Sequence, residues 1–265
     1  METLVLAVEK RTQFKAWKLT KTKIRKLTII LPVYNPHAGW EKRIVSVLNK
    51  LETAFRDIEY YVAIVNDGST QDIRFFIEDE LIPAFPNLRY YSYEKNRGKG
   101  YAIRYGLKHS FSDYYIYTDF DIPFGIHSVR QTYESLIEGK NSLVLGKRGL
   151  SYLRSLPPIR LALSVGFMLL NTIHTGLRVS DTQAGIKGLD NKARLIFLST
   201  KTNGFVFELE FIRKCLRSKI KHSKINVTPE KGLKLSNFGS QTILQEFNNY
   251  LRIIFESRKT PTTFL

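Results

Sequence analysis

Five short apolar runs, each closing in a polar or glycine-bearing turn, constrain this chain more tightly than any other feature. They are "LTIILPVY" (27–34), "YYVAIV" (60–65), "LRYYSYE" (88–94), "YYIYTDF" (114–120) and "NSLVLG" (141–146). After the first, Trp40, Ile44, Val47, Leu48, Leu51 and Phe55 recur at helical spacing. After the second, Phe75, Phe76 and Leu81 mark another helix, with Ser69 or Thr70 placed to cap it. The third is followed by "NRGKGYAIRYGL", a glycine turn leading into a helix. Strands alternating with helices require right-handed crossovers, so the expected class is α/β: a mostly parallel central sheet with helices on both faces. From residue 150 onward the pattern turns mainly helical, ending in an amphipathic helix around 240–256 and a tail, "SRKTPTTFL", that reads as disordered. No repeat or linker interrupts the chain. The expected organisation is a basic leader over 1–26, a single domain over 27–256 and a disordered tail over 257–265.

In open parallel sheets, ligands bind beyond the carboxyl ends of the strands. Here those ends carry "PVYN", "NDGST", "NRGKG", "DFD" and "GKR" in turn. Each alone is weak, since Asp-Gly-Ser is an ordinary turn. Neither phosphate-loop fingerprint is present: no GxxxxGK[ST] occurs and no GxGxxG opens the first helix. The weight lies in all five falling on one edge of the sheet. The pair Asp119 and Asp121 sharpens the question. On a continuing strand they would share a side, and two such carboxylates repel unless a cation lies between them. The alternative is that the strand has ended and both acids face water.

The motif order "LPVYN … IVNDGST … NRGKGYAIRYG … YTDFD … LGKR … DTQAGIKG … GFVFELEFI" resembles the inverting family 2 glycosyltransferases of GT-A fold. Within these it is most similar to enzymes that transfer a sugar from a nucleotide donor to polyprenyl or dolichyl phosphate. The resemblance covers roughly residues 27–215. It implies that Pro32, Tyr34 and Asp67 contact the donor's nucleoside, Asp67 standing at the family's base-recognising carboxylate and Asn66 where many members have a second Asp. It places Lys99 near the donor phosphates. It makes Asp119 and Asp121 the DxD pair that holds Mg²⁺ or Mn²⁺ against the diphosphate, a set of hard oxygen donors suited to those ions. Two departures stand out: Pro36 where members often have Glu, and Pro123 where some lipid-phosphate members supply a Gln to the metal. Looser metal affinity is the expected consequence.

On the acceptor side the resemblance aligns Arg148 and Arg160 with positions that bind the acceptor phosphate, a task suited to the planar guanidinium fork. The competing reading of each is a surface arginine with a solvated head. Asp181, in "SDTQAGIKG", is the candidate base should the acceptor be a sugar hydroxyl, with a turn-capping role as the alternative. Glu208 and Glu210 lie two apart in an apolar stretch; on a helix they face different sides, so only one can reach the site.

Charge bears on the acceptor. Of a net +17, residues 27–139 carry −3 and residues 140–234 carry +13. So uneven a distribution points to an anionic partner, lipid headgroups or a phosphorylated acceptor above all, against the plain alternative of a solvated lysine-rich surface. Nucleic acid is not expected, because the aromatic stacking platforms it needs are sparse there: Tyr152 is the only tyrosine between 140 and 234. A nucleotidyltransferase would want a glycine- and arginine-rich loop after the first strand, which "PVYNPHAG" is not. A catalytically dead relative would be expected to have lost DxD acids that are intact here. The single cysteine, Cys215, rules out an internal disulfide and a thiolate zinc cluster. "LVLAV" is too short for a signal peptide and its charges follow it. The segment "LALSVGFMLLNTIHTGL" (161–177), broken by Asn171 and His174, fits a buried helix or one lying in a membrane interface. The expectation is a cytoplasmic enzyme held peripherally at a membrane. Its donor would be a UDP- or GDP-sugar, with UDP-glucose preferred from "NRGKGYAI", and its acceptor a lipid phosphate. A family 2 enzyme acting on a sugar hydroxyl is the alternative, and a basic nucleic-acid-binding protein a remote one.

Overall fold

The computed structural model describes residues 25–149, 184–204 and 206–230. Seven strands form one sheet: β1 (Lys26–Val33), β2 (Glu59–Asn66), β3 (Leu88–Ser92), β4 (Tyr114–Tyr117), β5 (Leu143–Arg148), β6 (Lys187–Asp190) and β7 (His222–Val227), in the spatial order β3-β2-β1-β4-β6-β5-β7. The pairs β1–β2, β2–β3, β1–β4 and β5–β7 are parallel; β6 runs antiparallel between β4 and β5. Among the described residues the main helices on the sheet are α1 (Trp40–Ala54), α2 (Lys99–His109), α3 (Gly125–Gly139), α4 (Asn191–Leu198) and α5 (Phe207–Arg217). This is the mostly parallel α/β sheet the alternation demanded.

The pleat divides the core in two. Leu27, Ile29, Leu31 and Val33 of β1 point to one face, where α1 buries Ile44, Val47, Leu48 and Leu51 and α3 buries Val129, Tyr133 and Leu136. Ile30 points to the other, against Ala102, Ile103 and Leu107 of α2, Phe197 of α4 and Phe207 and Phe211 of α5. Fully burying each such side chain contributes roughly 1.5–3 kcal/mol, so both layers are firmly seated. The edge between them is therefore a fixed platform.

Three details depart from the sequence pattern. Among the described residues beyond 184, helix outweighs strand, but β6 and β7 join the sheet there. β6 is only "KGLD", too short and too poor in β-branched residues to register as a strand. β7, "HSKINV", buries only Ile225 and Val227. The helix after "NDGST" opens a π-helical stretch, Phe76–Leu81, running into Ile82–Ala84. Ser69 and Thr70 do not cap it, because both are engaged by Asn35. Among the described residues no helix is long and apolar enough to cross a membrane. Most of the basic leader, the 161–177 segment, Arg160, Asp181, the helix expected around 240–256 and the tail lie outside the described residues.

Candidate active site

The carboxyl ends of β1 and β2 are tied together first. Asn35 adopts a left-handed conformation, φ 42°, which asparagine tolerates better than most residues. Its Oδ1 accepts from Thr70 N (2.8 Å), Thr70 Oγ1 (3.1 Å) and Gln71 N (3.3 Å), while its own N–H donates to Ser69 Oγ (3.0 Å). Asp67 N donates to Val33 O at 2.8 Å. Asn66 accepts from Ser69 N (2.9 Å) and donates to Tyr90 Oη (2.9 Å), a double task that an amide performs and an ionised carboxylate does not. Pro32 lies in β1 opposite Val65, and Tyr34 stands half-exposed at its end.

Asp67 is buried and spends its whole carboxylate inside the protein. Oδ1 accepts from Tyr93 Oη (2.8 Å) and Arg97 N (2.8 Å); Oδ2 accepts from Asn96 Nδ2 (3.1 Å) and Gly98 N (2.9 Å). Four donors fill a carboxylate's lone-pair positions, and such charge-assisted bonds are the strong kind. A nucleobase N–H reaching Asp67 would have to displace one of them. Burial, reinforced by the Asp67 charge, pushes the Tyr93 phenol far above its usual range. What Asp67 visibly does is shape "NRGKG". Gly98 sits at φ 95°, where a Cβ would fall 2.6 Å from Asn203 O, and Gly100 N donates to the same carbonyl at 2.8 Å. The turn launches α2 with Lys99 as its first residue.

β4 stops at Tyr117, two residues short of the acids. Ile122 N donates to Asp119 O (2.9 Å), closing a turn over 119–122. Ile122 itself has φ 45°, a strained position for a β-branched residue, held by the burial of its side chain. The strand has ended, then, yet the acids do not simply face water. Lys99 Nζ donates to Asp119 Oδ1. Arg43 Nη1, from α1, donates to Asp121 Oδ2 at 3.1 Å. The two carboxylates are thus matched by separate cations from opposite faces of the sheet, and their side chains remain 40% and 34% exposed. Among the described residues no three His, Cys, Asp or Glu side chains converge to hold a metal. Two accessible hard carboxylates fit Mg²⁺ or Mn²⁺ provided the remaining oxygens come from a diphosphate and water.

The strand β6 approaches this pair from behind. A Cβ on Gly185 would fall on Asp119 Oδ2, so glycine lets "AGIK" back against the carboxylate without displacing it. Gly185→Ala is expected to leave the melting temperature near that of the parent while displacing Asp119 and lowering turnover by on the order of tenfold; steady-state kinetics beside a thermal melt would check it. Two residues on, Lys187 is wholly buried. Its Nζ pairs with Glu208 Oε2 at 2.7 Å, donates to Ala184 O at 2.5 Å and lies 5.9 Å from the Tyr117 ring centroid. Burial pushes the Glu208 carboxyl above its usual range, and the charges of Lys187 and Lys99 oppose that rise. For Lys99 the balance falls the other way: burial pulls it down, but Asp119 and then Glu208 hold it above its ordinary value.

Glu210 faces elsewhere, as helical spacing requires. It accepts from Thr202 N (2.8 Å), Lys201 N (3.0 Å) and Lys214 Nζ (3.0 Å). Burial would raise its carboxyl, yet the Thr202 and Lys214 bonds win and hold it low. A depressed folded pKa means stability that is present above the unfolded value, about 4.3, and lost as pH falls through the folded one. Glu210→Gln is expected to cost about 1–2 kcal/mol at neutral pH, a gap that closes on acidification in urea titrations.

Arg148 ends β5. Since β5 and β4 both pair antiparallel with β6, they run the same way, and Arg148 emerges on the edge that carries Asp119. Of the residues expected at the site, Pro32, Tyr34, Asp67, Lys99, Asp119, Asp121 and Arg148 therefore share that edge. Arg43, Lys187 and Glu208 join them. Only Lys187, a charge inside "AGIKGL", and Glu208, inside "FVFELEF", carried a sign of this in the sequence.

The family model described as "Glycosyl transferase family 2" matches residues 28–183, more than half of the chain. Among curated relatives, the dolichyl-phosphate beta-glucosyltransferase of Saccharomyces cerevisiae is 24% identical over 223 residues, covering 76% of this chain and 66% of its own length. That of Dictyostelium discoideum is 25% identical over 254 residues, covering 86% and 74%. The chain spans just under two thirds of the length of the yeast relative and 58% of a Trichomonas vaginalis one. Among solved structures, glucosyl-3-phosphoglycerate synthase of Mycobacterium tuberculosis, crystallised with Mn²⁺, UDP and phosphoglyceric acid, superposes with a TM-score of 0.62 at 15% identity, covering 90% of this chain and 80% of that one. At that identity the likeness is one of fold.

Proposed function

The chain belongs to glycosyl transferase family 2, and from that footing we propose that it moves a sugar from a nucleoside-diphosphate sugar to the phosphate of a polyprenyl or dolichyl lipid. UDP-glucose is the donor of first choice, since the relatives this chain is similar to include dolichyl-phosphate beta-glucosyltransferases. The observation that carries the proposal is the meeting of Lys99, Asp119 and Asp121 on the carboxyl edge of β1, β2 and β4, within the matched span.

In this reading Pro32, Tyr34 and the Asp67-organised turn form the nucleoside side of the pocket. The start of α2 presents Lys99 and the helix's positive end to the diphosphate. Asp119 and Asp121 would hold Mg²⁺ or Mn²⁺, which would supply charge stabilisation for the departing nucleoside diphosphate. One bond forms, from an acceptor phosphate oxygen to the anomeric carbon. One breaks, from that carbon to the diphosphate oxygen, which leaves with the electron pair and inverts the configuration. The acceptor phosphate is ionised near neutral pH and needs no general base, so Arg148 and Arg160 have only to position it. Asp181 takes the part of base if the acceptor is instead a sugar hydroxyl. The basic excess of 140–234 suits an anionic membrane surface beside the acceptor.

The test is mass spectrometry of lipid products after incubation with dolichyl or undecaprenyl phosphate, one UDP- or GDP-sugar and Mg²⁺ or Mn²⁺. A hexosyl-phosphoryl lipid formed from UDP-glucose and abolished by EDTA is the expected result. Donor hydrolysis without a lipid product would overturn the phosphate acceptor and move Asp181 into the base's role.

A further inference from the structure

Behind the two carboxylates lies a charge pair that the proposed chemistry does not use. Lys187 and Glu208 come from β6 and α5, and both are buried. Burying charges is costly unless they are paired, and a pair of hydrophobic residues of similar volume would commonly serve folding as well. Two contacts bring Glu208 to the site. Gly100 packs on its neighbour Phe207 so closely that a Cβ would fall 2.7 Å from Phe207 Cβ, and Gly100 N donates to Asn203 O just before α5. The first turns of α2 and α5 therefore abut, with Lys99 in one and Glu208 in the other. Lys187 engages Glu208 through Oε2.

We infer that Glu208 is a positioning residue that receives the Lys99 ammonium when Asp119 is taken up by a divalent cation. The inference rests on the reading of Asp119 and Asp121 as the metal-holding pair. The need for it follows from charge. A cation arriving at Asp119 meets an ammonium already bound to Oδ1, and the two repel at contact distance. The Glu208 carboxylate, brought close by the abutting first turns of α2 and α5, offers the ammonium a second partner without releasing it to solvent. Lys99 then stands beside the metal with its charge offset, free to turn toward a phosphate. Lys187, tied to Ala184 O as well as to Glu208, holds the acceptor carboxylate still. Arg43, with its side chain 62% exposed, needs no such device, since it can swing from Asp121 into water.

The test is the affinity of the full chain for Mn²⁺ alone, read from the electron paramagnetic resonance signal of the free ion, with no donor and no turnover. Glu208→Gln is expected to raise the Mn²⁺ dissociation constant by on the order of tenfold, as loss of an outer-shell partner does. Lys187→Met/Glu208→Leu, which removes both buried charges together and guards against misfolding, is expected to weaken Mn²⁺ to a similar degree. The decisive step is the cycle with Lys99→Met. In that background Glu208→Gln is expected to have no effect, because the ammonium that had to move is gone. A weakening that persists in Lys99→Met would mean Glu208 acts only through its distant negative charge, and would overturn the inference. So would an unchanged affinity in Glu208→Gln while the parent binds Mn²⁺. A parent chain that binds no Mn²⁺ would overturn the metal reading of Asp119 and Asp121, and the inference with it.

Discussion

Asp119→Asn is expected to lower sugar transfer by on the order of 10²–10³-fold, the scale seen when one preorganised electrostatic partner of a developing charge is removed. The substitution keeps the shape of the side chain, so Gly185 still packs against it and the turn over 119–122 still closes. What disappears is the negative charge that faces Lys99 and would hold a divalent ion. Added Mn²⁺ is expected to recover part of the rate, because a weakened site fills at higher concentration. Asp121→Asn, whose partner Arg43 is largely exposed, should behave alike. Initial rates against Mn²⁺ concentration, with circular dichroism to show an unchanged fold, check both. Full activity in either variant would remove that carboxylate from the metal site.

Lys187→Met is expected to produce the largest loss of stability of any single change considered, about 3–5 kcal/mol, because it strands the Glu208 carboxylate in the interior without its partner. Urea unfolding at neutral pH would show it as a lower midpoint at an unchanged slope. The pH dependence has a definite sign. Burial already keeps the Glu208 carboxyl above its ordinary value against the pull of Lys187 and Lys99, and loss of Lys187 raises it further. A group that binds its proton more tightly folded than unfolded gains stability as pH falls through the raised value toward the unfolded one. The deficit of Lys187→Met is therefore expected to be greatest above the raised pKa and to shrink on mild acidification. The double change Lys187→Met/Glu208→Leu should recover most of the loss at every pH, since it leaves no charge behind.

The pair also marks a limit of what residue order alone encodes. The runs at 27–34, 60–65, 88–94, 114–120 and 141–146 became β1 to β5 within a few residues, because alternation and apolar runs are local properties that survive whatever the chain does elsewhere. The turns that follow them reached one edge for the same reason: parallel strands joined by right-handed crossovers leave no other place for them. β6 was hidden because four residues, one of them glycine, hold no periodicity to detect. It is a strand only because β4 and β5 stand on either side of it.

Residue types at the strand ends were thus set by the sequence: a glycine turn before Lys99, two carboxylates after Tyr117, an arginine closing β5, and the family to which that order belongs. Tertiary structure alone decided which charge meets which. Asp119 and Asp121 could have faced one and the same side-chain cation; instead β4 stops at Tyr117, and the turn sends one acid to Lys99 and the other to Arg43. Asp67, read as a ligand-binding acid, is saturated by four donors of which three lie thirty or so residues further on, at Asn96, Arg97 and Gly98. Lys187 meets Glu208 across twenty-one positions. Contacts of that range are chosen by the packing of helices on a sheet, and electrostatic energy depends on the distances and burial that packing creates, which spacing along a chain does not contain.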